Sequence, residues 1–297
     1  MRVAGIDCGT NSVRLLVTEG GTDVHRETRI VRLGQAVDRT GVLAPEAIER
    51  TRVALADYAA IIERLGVQRT RMVATSATRD AANRDDFTAM VRDTLGVEAE
   101  VVTGLEEAAL SFSGAVGTMD GLPRPVLLVD LGGGSTELVL GGLQLRAHSM
   151  DVGSVRMTER HLHDDPPTQE QVDAAVADVR DAIETARADV PLHEARTVVG
   201  VAGSITTIAA VALGLEQYDA EAIHGSRISA ERIAEVTERL LHLDHDQRAA
   251  IRVIHPGRVD VIGGGALVLR TLVEEVGAPE IVVSEHDILD GIALSIS

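Results

Sequence analysis

Two stretches of similar sequence decide the fold: VAGIDCGTNSVRLLV at residues 3–17 and VLLVDLGGGSTELVL at residues 126–140. Both carry the pattern D-x-G-x-x-S between apolar flanks. The pattern pairs Asp7 with Asp130, Gly9 with Gly132 and Ser12 with Ser135, each pair 123 positions apart. A strand that ends in an aspartate, a tight turn and a second strand therefore occur twice, at a domain-sized separation. We expect two α/β domains of related design whose turns face one cleft.

The spacing of apolar residues in the rest of the chain predicts alternating strands and helices. We expect strands within residues 3–18, 22–33, 71–76, 97–102, 126–140 and 197–201. We expect helices at residues 45–65, 86–95, 106–116, 168–188 and 229–242, and others that begin near residues 204 and 264. The turn-rich stretch 117–125 is the predicted boundary. It divides the chain into residues 1–122 and 123–297, and the last helix is allowed to pack back on the first domain.

Charge and composition exclude several classes of protein. The formal net charge is −18, and all 28 basic residues are arginines, a usage that genome composition explains. Without lysine, a Walker A phosphate loop is excluded. The acidic field also disfavours a non-specific DNA-binding surface. Any polyanion must therefore be held by a local arginine cluster, a metal ion and oriented backbone amides.

The chain is expected to be cytoplasmic. Its one cysteine, Cys8, cannot form an internal disulfide, and we expect it to serve packing in a reducing compartment. No apolar run approaches the roughly 20 residues that span a bilayer, so we expect no membrane segment. The N-terminal stretch contains Asp7 and Asn11, which excludes a signal peptide.

The second turn has the composition of an anion site that also holds a metal ion. Its glycines let backbone N–H groups approach an anion, and its hydroxyl groups can donate to phosphate oxygens. An ionised carboxylate cannot donate, so acids beside a phosphate site favour a bridging Mg²⁺ or another divalent cation. The residues concerned are Asp130, Gly132, Gly133, Gly134, Ser135, Thr136 and Glu137. The alternative is a tight hairpin with incidental acids.

Two segments of the first domain offer further donors. Thr10, Asn11 and Ser12 of the first turn can bind phosphate from the opposite wall, unless this is an ordinary capped hairpin. Residues 73–83 follow a strand and open a helix, whose N-terminus favours anions and whose Arg79 supplies a guanidinium fork. In the alternative interpretation, Ser76 or Thr78 caps this helix and Arg79 is solvated.

The pair Glu106 and Glu107 begins the next predicted helix. Acids in a first turn often serve the helix dipole alone. The functional alternative is a general base that orients a water molecule for phosphoryl transfer. Two more glycine-rich stretches, 199–206 and 261–266, could hold a nucleotide or a phosphate chain, or only permit close helix packing. His161 and His163 show no metal-ligand spacing, and we interpret them as a solvated helix end.

The chain resembles the exopolyphosphatase and guanosine pentaphosphate phosphatase (Ppx/GppA) family nearly from end to end. The matching stretches are IDCGTNSVRLLV (6–17), VRLGQAVDRTG (31–41), ATSATRDAANRDDF (74–87), VVTGLEEAALSFSGA (101–115), VDLGGGSTELV (129–139), MDVGSVRMTE (150–159), DDPPT (164–168) and RVDVIGGGALVL (258–269). The resemblance implies two actin-like (ribonuclease H-like) domains of the ATPase superfamily that flank a cleft.

The resemblance also implies a role for each matching residue. Asp7, Gly9, Thr10, Asn11 and Ser12 form the first phosphate loop, and residues 130–135 the second. Asp130 and Glu137 lie near Mg²⁺, and Arg79 contacts substrate phosphate. Glu107 resembles the water-activating base, with Glu106 as the alternative one position away. Many relatives have arginine where this chain has Leu289, which removes one phosphate contact.

The implied activity is Mg²⁺-dependent hydrolysis of the terminal phosphate of inorganic polyphosphate. The chain resembles the short, two-domain members, which favours short substrates. Three alternatives stay open: hydrolysis of guanosine pentaphosphate, a kinase or ATPase of the same superfamily, and a non-enzymatic binder of polyphosphate or alarmone nucleotides. We also allow for a homodimer.

Overall fold

The chain folds into two compact units, each with its own mixed β-sheet. The structure, a computed structural model, describes residues 1–117, 119, 121–142 and 144–297. One unit comprises Met1–Gly117 with His286–Ser297, and the other Thr118–Glu285. The predicted boundary at 117–125 falls partly on residues 118 and 120, which lie outside the described residues. The predicted second domain extended to residue 297 with its last helix allowed to pack back on the first domain, and the C-terminal segment does pack with the first unit.

The first unit is built on a five-stranded sheet. Its strands are β1 (Arg2–Cys8), β2 (Ser12–Glu19), β3 (Thr22–Ile30), β4 (Arg69–Ala74) and β5 (Ala99–Val101), in the order β3-β2-β1-β4-β5. The first three strands form an antiparallel meander, while β4 and β5 add in parallel. The helices are α1 (Val37–Thr40), α2 (Pro45–Arg64), α3 (Ser76–Asp80), α4 (Arg84–Leu95) and α5 (Gly104–Val116).

The second unit repeats this design with a six-stranded sheet. Its strands are β6 (Val126–Leu131), β7 (Thr136–Gly141), β8 (Leu145–Met150), β9 (Thr197–Val201), β10 (Arg227–Ser229) and β11 (Glu280–Val283), in the order β10-β11-β9-β6-β7-β8. Here β6, β7 and β8 form the meander, and β9 and β11 add in parallel. The same succession of strands in both units confirms the α/β class and the internal repeat.

Helices cover the second sheet. They are α6 (Ser154–His161), α7 (Gln169–Ala186), α8 (Ala202–Ala212), α9 (Ala220–Ile223), α10 (Ala230–His242), α11 (His245–Ala249) and α12 (Ile262–Val276), with 3₁₀ turns at Leu192–Glu194 and Pro256–Arg258. In the described part of the chain, no helix is both long and apolar enough to cross a membrane. Helix α6 ends at His161, as predicted, and Nε2 of this partly exposed histidine lies 2.8 Å from Oδ2 of Asp178.

Aliphatic side chains form the two cores, and only two aromatic residues, Tyr58 and Phe87, are among the largest fully buried side chains. The buried hydroxyl group of Tyr58 donates to the carbonyl of Val13 at 3.0 Å. Cys8 ends β1 in the same core, where burial raises the pKa of its thiol and disfavours the thiolate. These contacts agree with the packing role predicted for Cys8.

The C-terminal helix α13 (Ile288–Leu294) packs on α5 with almost no side chains between the backbones. A Cβ atom at Gly291 would lie 2.0 Å from the carbonyl oxygen of Leu110, and one at Gly114 would lie 2.0 Å from that of Asp287. Only glycine permits this approach. Leu289, which was expected to remove a phosphate contact, is buried against Leu16 in the core of the unit.

Ion pairs fix α13 to the sheet. Arg14 on β2 donates to the carboxylate of Asp287, which caps α13 by accepting from the backbone N–H of Leu289 at 3.0 Å. Arg26 on β3 donates to Asp290, and Nδ1 of His286 lies 2.8 Å from Oδ1 of the same carboxylate. Burial opposes the charge of Asp290, but the hydrogen bonds from His286 and Arg26 prevail and lower the pKa to about 2.

Replacing Asp290 by asparagine should therefore destabilise the protein at neutral pH. The folded-state pKa lies below the ordinary value of 3.8, so the carboxylate stabilises the fold above about pH 4 and loses this effect as the pH falls toward 2. We expect Asp290→Asn to cost about 2 kcal/mol at pH 7 in urea unfolding, and the difference from the unmodified protein to shrink below pH 4.

Asp23→Asn is the matched control, because Asp23 accepts from the same arginine, Arg26, at 2.9 Å but is 44% exposed. Its cost should stay within about 0.5 kcal/mol, as is usual for a surface ion pair. Equal costs for the two substitutions, or a cost at Asp290 that does not change with pH, would contradict the anchoring role of Asp290.

Candidate active site

The first loop is a tight turn whose carbonyl groups are held by a neighbouring segment. The N–H of Gly9 donates to the carbonyl of Ser12 at 2.9 Å and closes the turn between β1 and β2. The carbonyl of Thr10 accepts from Gly34 at 2.8 Å, and that of Asn11 accepts from Val31 and Arg32 at 3.0 and 2.9 Å. In a trans peptide the C=O and N–H point in opposite directions. The amides that follow Thr10 and Asn11 therefore point away from residues 31–34.

The second loop is built in the same way within the other unit. The N–H of Gly132 donates to the carbonyl of Ser135 at 3.0 Å. The loop carbonyls are held by the start of α6: Gly132 accepts from Ser154 at 3.0 Å, Gly133 from Val155 at 2.8 Å, and Gly134 from Nε of Arg156 at 2.6 Å. The amides of Gly133, Gly134 and Ser135 consequently point away from α6. Successive outward N–H groups of this kind form an anion-binding concavity.

The first loop is joined to α3, which carries Arg79. The hydroxyl groups of Thr10 and Ser76 lie 2.9 Å apart, and both side chains are buried. The helix predicted to open within residues 73–83 is only the five-residue α3, and its N-cap Thr75 makes no side-chain cap. Neither Ser76 nor Thr78 is the cap, so that alternative is wrong. The Thr78 hydroxyl oxygen is buried without a hydrogen-bond partner among the described residues.

Arg79 and Glu107, predicted as phosphate ligand and base, contact each other directly. Nη1 of Arg79 donates to Oε2 of Glu107 at 2.9 Å and to the carbonyl of Val102 at 3.1 Å. The Glu107 side chain is 9% exposed and that of Arg79 is 23% exposed. The first unit thus brings the first loop, Arg79 and Glu107 into one connected cluster.

Glu106 has a different environment from its neighbour. Its Oε2 accepts from both the backbone N–H and the hydroxyl of Thr103, each at 2.9 Å, in a capping box that starts α5. The backbone hydrogen bond from Thr103 lowers the pKa of this exposed carboxyl group. The geometry separates the two acids, with Glu106 in the helix cap and Glu107 beside Arg79.

The aspartate of the first loop is bound by an arginine that the sequence analysis did not single out. Nε and Nη2 of Arg14 donate to Oδ2 of Asp7 at 2.9 and 2.6 Å. Oδ1 of Asp7 is buried without a hydrogen-bond partner among the described residues. Burial raises the pKa of this carboxyl group, although Arg14 acts in the opposite direction. Asp7 stands opposite Arg14 across the β1–β2 ladder, so the register of the predicted hairpin could have indicated this contact.

The corresponding position in the second hairpin carries an acid. Glu137 stands opposite Asp130 across the β6–β7 ladder, and both side chains are buried. Directly opposed residues point to the same face of a sheet, so the two carboxylates are neighbours. Ser149 donates to Oε1 of Glu137 at 2.7 Å. Thr136 was predicted to donate to phosphate, but its hydroxyl donates to the carbonyl of Val152 at 2.6 Å and its side chain is fully buried.

The pair Asp130 and Glu137 fits a magnesium site that water and substrate complete. Mg²⁺ characteristically takes one or two carboxylates and fills its other positions with water and phosphate oxygens. The described residues contain no group of three or more acidic, histidine or cysteine side chains arranged to hold a metal ion by themselves. Of the predicted acids, this pair alone consists of two adjacent carboxylates on facing strands.

Two further arginines lie at the loops of the second unit. Arg156 contacts the second loop through Gly134, and the guanidinium of Arg258 lies against Gly203 at the start of α8, where an added Cβ would come within 2.0 Å of Nη2. Both residues belong to stretches singled out in the sequence, but their spacing gives no sign of these contacts.

Comparison with known proteins gives consistent results over the whole chain. The model of the Ppx/GppA phosphatase family matches residues 16–297. The chain is 54% identical to Exopolyphosphatase 2 of Mycobacterium tuberculosis, over 100% of this chain and 98% of that protein. Among solved structures, an exopolyphosphatase-like protein superposes with a TM-score of 0.97 at 47% identity, covering 99% of this chain and 98% of that one. The Aquifex aeolicus PPX-GPPA enzyme gives 0.81 at 31% identity, covering 99% of both chains. The chain therefore belongs to the Ppx/GppA phosphatase family.

Proposed function

We propose that this protein is an exopolyphosphatase that hydrolyses the terminal phosphate of inorganic polyphosphate, with a preference for short chains. The observation that carries the proposal is the matching construction of the two loops, in which the carbonyls are held by a flanking segment and the amides point outward. Its relative in Mycobacterium tuberculosis is named for the same activity. We further propose that the outward amides of each loop bind phosphate.

The contrast between the two hairpins supports a metal site in the second unit only. In the first hairpin, Arg14 neutralises the aspartate from within the protein. In the second hairpin, the equivalent strand position is Glu137, so the aspartate faces another carboxylate. Two adjacent carboxylates repel each other unless a cation or a proton compensates them. Mg²⁺ held by Asp130 and Glu137 would offset the charge of the phosphates and of the leaving oxygen.

Glu107 is the better candidate for the base. Its carboxylate lies beside Arg79, which is joined to the first loop through α3, whereas the Glu106 carboxylate is engaged in a helix cap. In the proposed reaction, a water oxygen bonds to the terminal phosphorus while Glu107 takes the proton. The bridging P–O bond breaks, and the shortened chain leaves with its electron pair as orthophosphate is released. A base that serves water favours hydrolysis over transfer to another acceptor, as in a kinase.

The first test exchanges each glutamate for glutamine. Glu107→Gln should fold normally and lose about 10²- to 10⁴-fold in kcat, because the proton acceptor is removed. Glu106→Gln keeps an acceptor oxygen for the cap and should change kcat no more than a few-fold. Phosphate release from polyphosphate and thermal unfolding would be measured for both variants. Undiminished turnover by folded Glu107→Gln would reject this residue as the base.

The second test concerns the metal site. Activity should vanish in excess EDTA and return with Mg²⁺. Glu137→Gln should raise the Mg²⁺ concentration for half-maximal activity by about tenfold or more. Replacing a residue that only hydrogen-bonds to a metal ligand already lowers metal affinity by about this factor. Asp151→Asn removes an acid that is 76% exposed just after β8 and should leave the Mg²⁺ dependence unchanged. Full activity in EDTA would exclude the metal, and equal Mg²⁺ dependence of Glu137→Gln and the unmodified protein would remove Glu137 from the site.

The third test identifies the substrate. Released phosphate would be measured with polyphosphates of defined length, with guanosine pentaphosphate and with ATP. We expect the highest kcat/KM for short polyphosphate, because the loops offer backbone amides and arginines that recognise phosphate alone. Faster hydrolysis of guanosine pentaphosphate would favour the nucleotide function. Tight binding of all these compounds without turnover in Mg²⁺ would indicate a binding protein.

A further inference from the structure

The Arg79–Glu107 ion pair has a consequence for the proposed reaction, on which this inference rests. As it stands, the guanidinium that should bind substrate phosphate is bound to the carboxylate that should bind water. The carboxylate therefore faces a guanidinium and not the water molecule that it should orient. We propose that this pair is a latch: an arriving phosphate takes the guanidinium of Arg79 and thereby releases Glu107 to orient and deprotonate water.

The contacts of the pair show which partner can leave. Nη1 of Arg79 also donates to the carbonyl of Val102, whose own N–H donates to Ala74 at 3.1 Å. The carbonyl of Val102 therefore holds the guanidinium independently of Glu107. Glu107 lies on α5, and a change of its side-chain rotamer would carry the carboxylate away from the guanidinium. Exchange of the Glu107 carboxylate for a phosphate thus requires no movement of α3 or β5.

Exposure and charge favour the exchange in which a phosphate replaces the Glu107 carboxylate at Arg79. The Arg79 side chain is 23% exposed while that of Glu107 is 9% exposed, so a ligand from solvent meets the guanidinium first. A terminal phosphate carries more negative charge than a carboxylate and offers three oxygens to the planar fork. Without a ligand, a buried carboxylate would be costly without its counter-charge, so the pair persists. The base is then released only when a phosphate chain is in place.

The latch requires that the Arg79–Glu107 pair lie close to the first loop, and the contacts of α3 place it there. The hydroxyl of Ser76 lies 2.9 Å from that of Thr10 in the loop. Arg79 follows Ser76 by three residues in α3, which is about one helical turn. A phosphate that contacts the outward amides of the first loop is therefore close to the helix that carries the guanidinium.

The latch predicts a coupling between the two side chains in ligand binding. Methylenediphosphonate, which has a P–C–P bond that cannot be hydrolysed, would be titrated by calorimetry. We expect Glu107→Gln to bind it about three- to tenfold more tightly than the unmodified protein, because Arg79 no longer has to leave a carboxylate. In an Arg79→Met background the same substitution should give a clearly smaller gain. An equal or larger gain in that background would show simple charge repulsion by Glu107, and no gain in either background would also overturn the latch.

Two further measurements keep this test decisive. Arg79→Met leaves Glu107 without its partner, so Arg79→Lys serves as a second background. The lysine ammonium is a point charge and lacks the planar fork that can donate to the Val102 carbonyl and to a phosphate at once. The gain in affinity from Glu107→Gln should therefore again be smaller than with arginine. Arg71 and Glu100 form a matched control pair, with Nη2 and Oε2 2.7 Å apart and the arginine 23% exposed. Arg71→Met and Glu100→Gln should leave methylenediphosphonate binding unchanged.

The binding experiment is independent of turnover. A coupling between Arg79 and Glu107 in a protein that releases no phosphate from polyphosphate would retain the latch and reject the proposed function. Absence of coupling in a protein that hydrolyses polyphosphate would retain the function and reject the latch.

Discussion

The candidate site depends on one short backbone hydrogen bond that occurs in both units. The N–H of Gly9 donates to Ser12 in the first unit, and the N–H of Gly132 donates to Ser135 in the second, at 2.9 and 3.0 Å. This bond fixes a tight turn directly after a buried aspartate. Because flanking segments hold the turn carbonyls, the amides are directed outward, which is the geometry that an anion-binding concavity requires. Preorganised amides stabilise charge without the cost of reorienting water.

The two hairpins share a backbone but differ in charge. In the first hairpin, Arg14 donates to Asp7 and offsets its charge. The same arginine also binds Asp287 at the start of α13. The C-terminal helix thereby supports both the loop and α5, on which Glu107 lies. The second hairpin presents two carboxylates on facing strands. The repeated hairpins therefore differ in the residue beside the aspartate, which is an arginine in the first unit and a glutamate in the second.

Sequence reasoning predicted the repeated hairpins, the α/β class and most long helices, because these rest on apolar periodicity and glycine turns. It did not predict β8 or the start of α6, since these elements are short, and β8 is half exposed and polar. It identified Arg79 and Glu107 but not their contact, which depends on the distance between α3 and α5 in the folded unit. Thr136 was misjudged because a hydroxyl in a motif gives no information about which carbonyl it meets. The approach of α13 to α5 through Gly114 and Gly291 likewise cannot be seen from spacing.

The central claim is that the outward amides of the two loops bind phosphate. Its most direct test is a crystal structure of the protein with methylenediphosphonate and Mg²⁺. The account predicts phosphonate oxygens that accept from the amides of Asn11 or Ser12 in the first loop and from those of Gly133 or Gly134 in the second. It also predicts Mg²⁺ on the carboxylates of Asp130 and Glu137. Loop amides in either unit that meet no phosphonate oxygen would contradict the account.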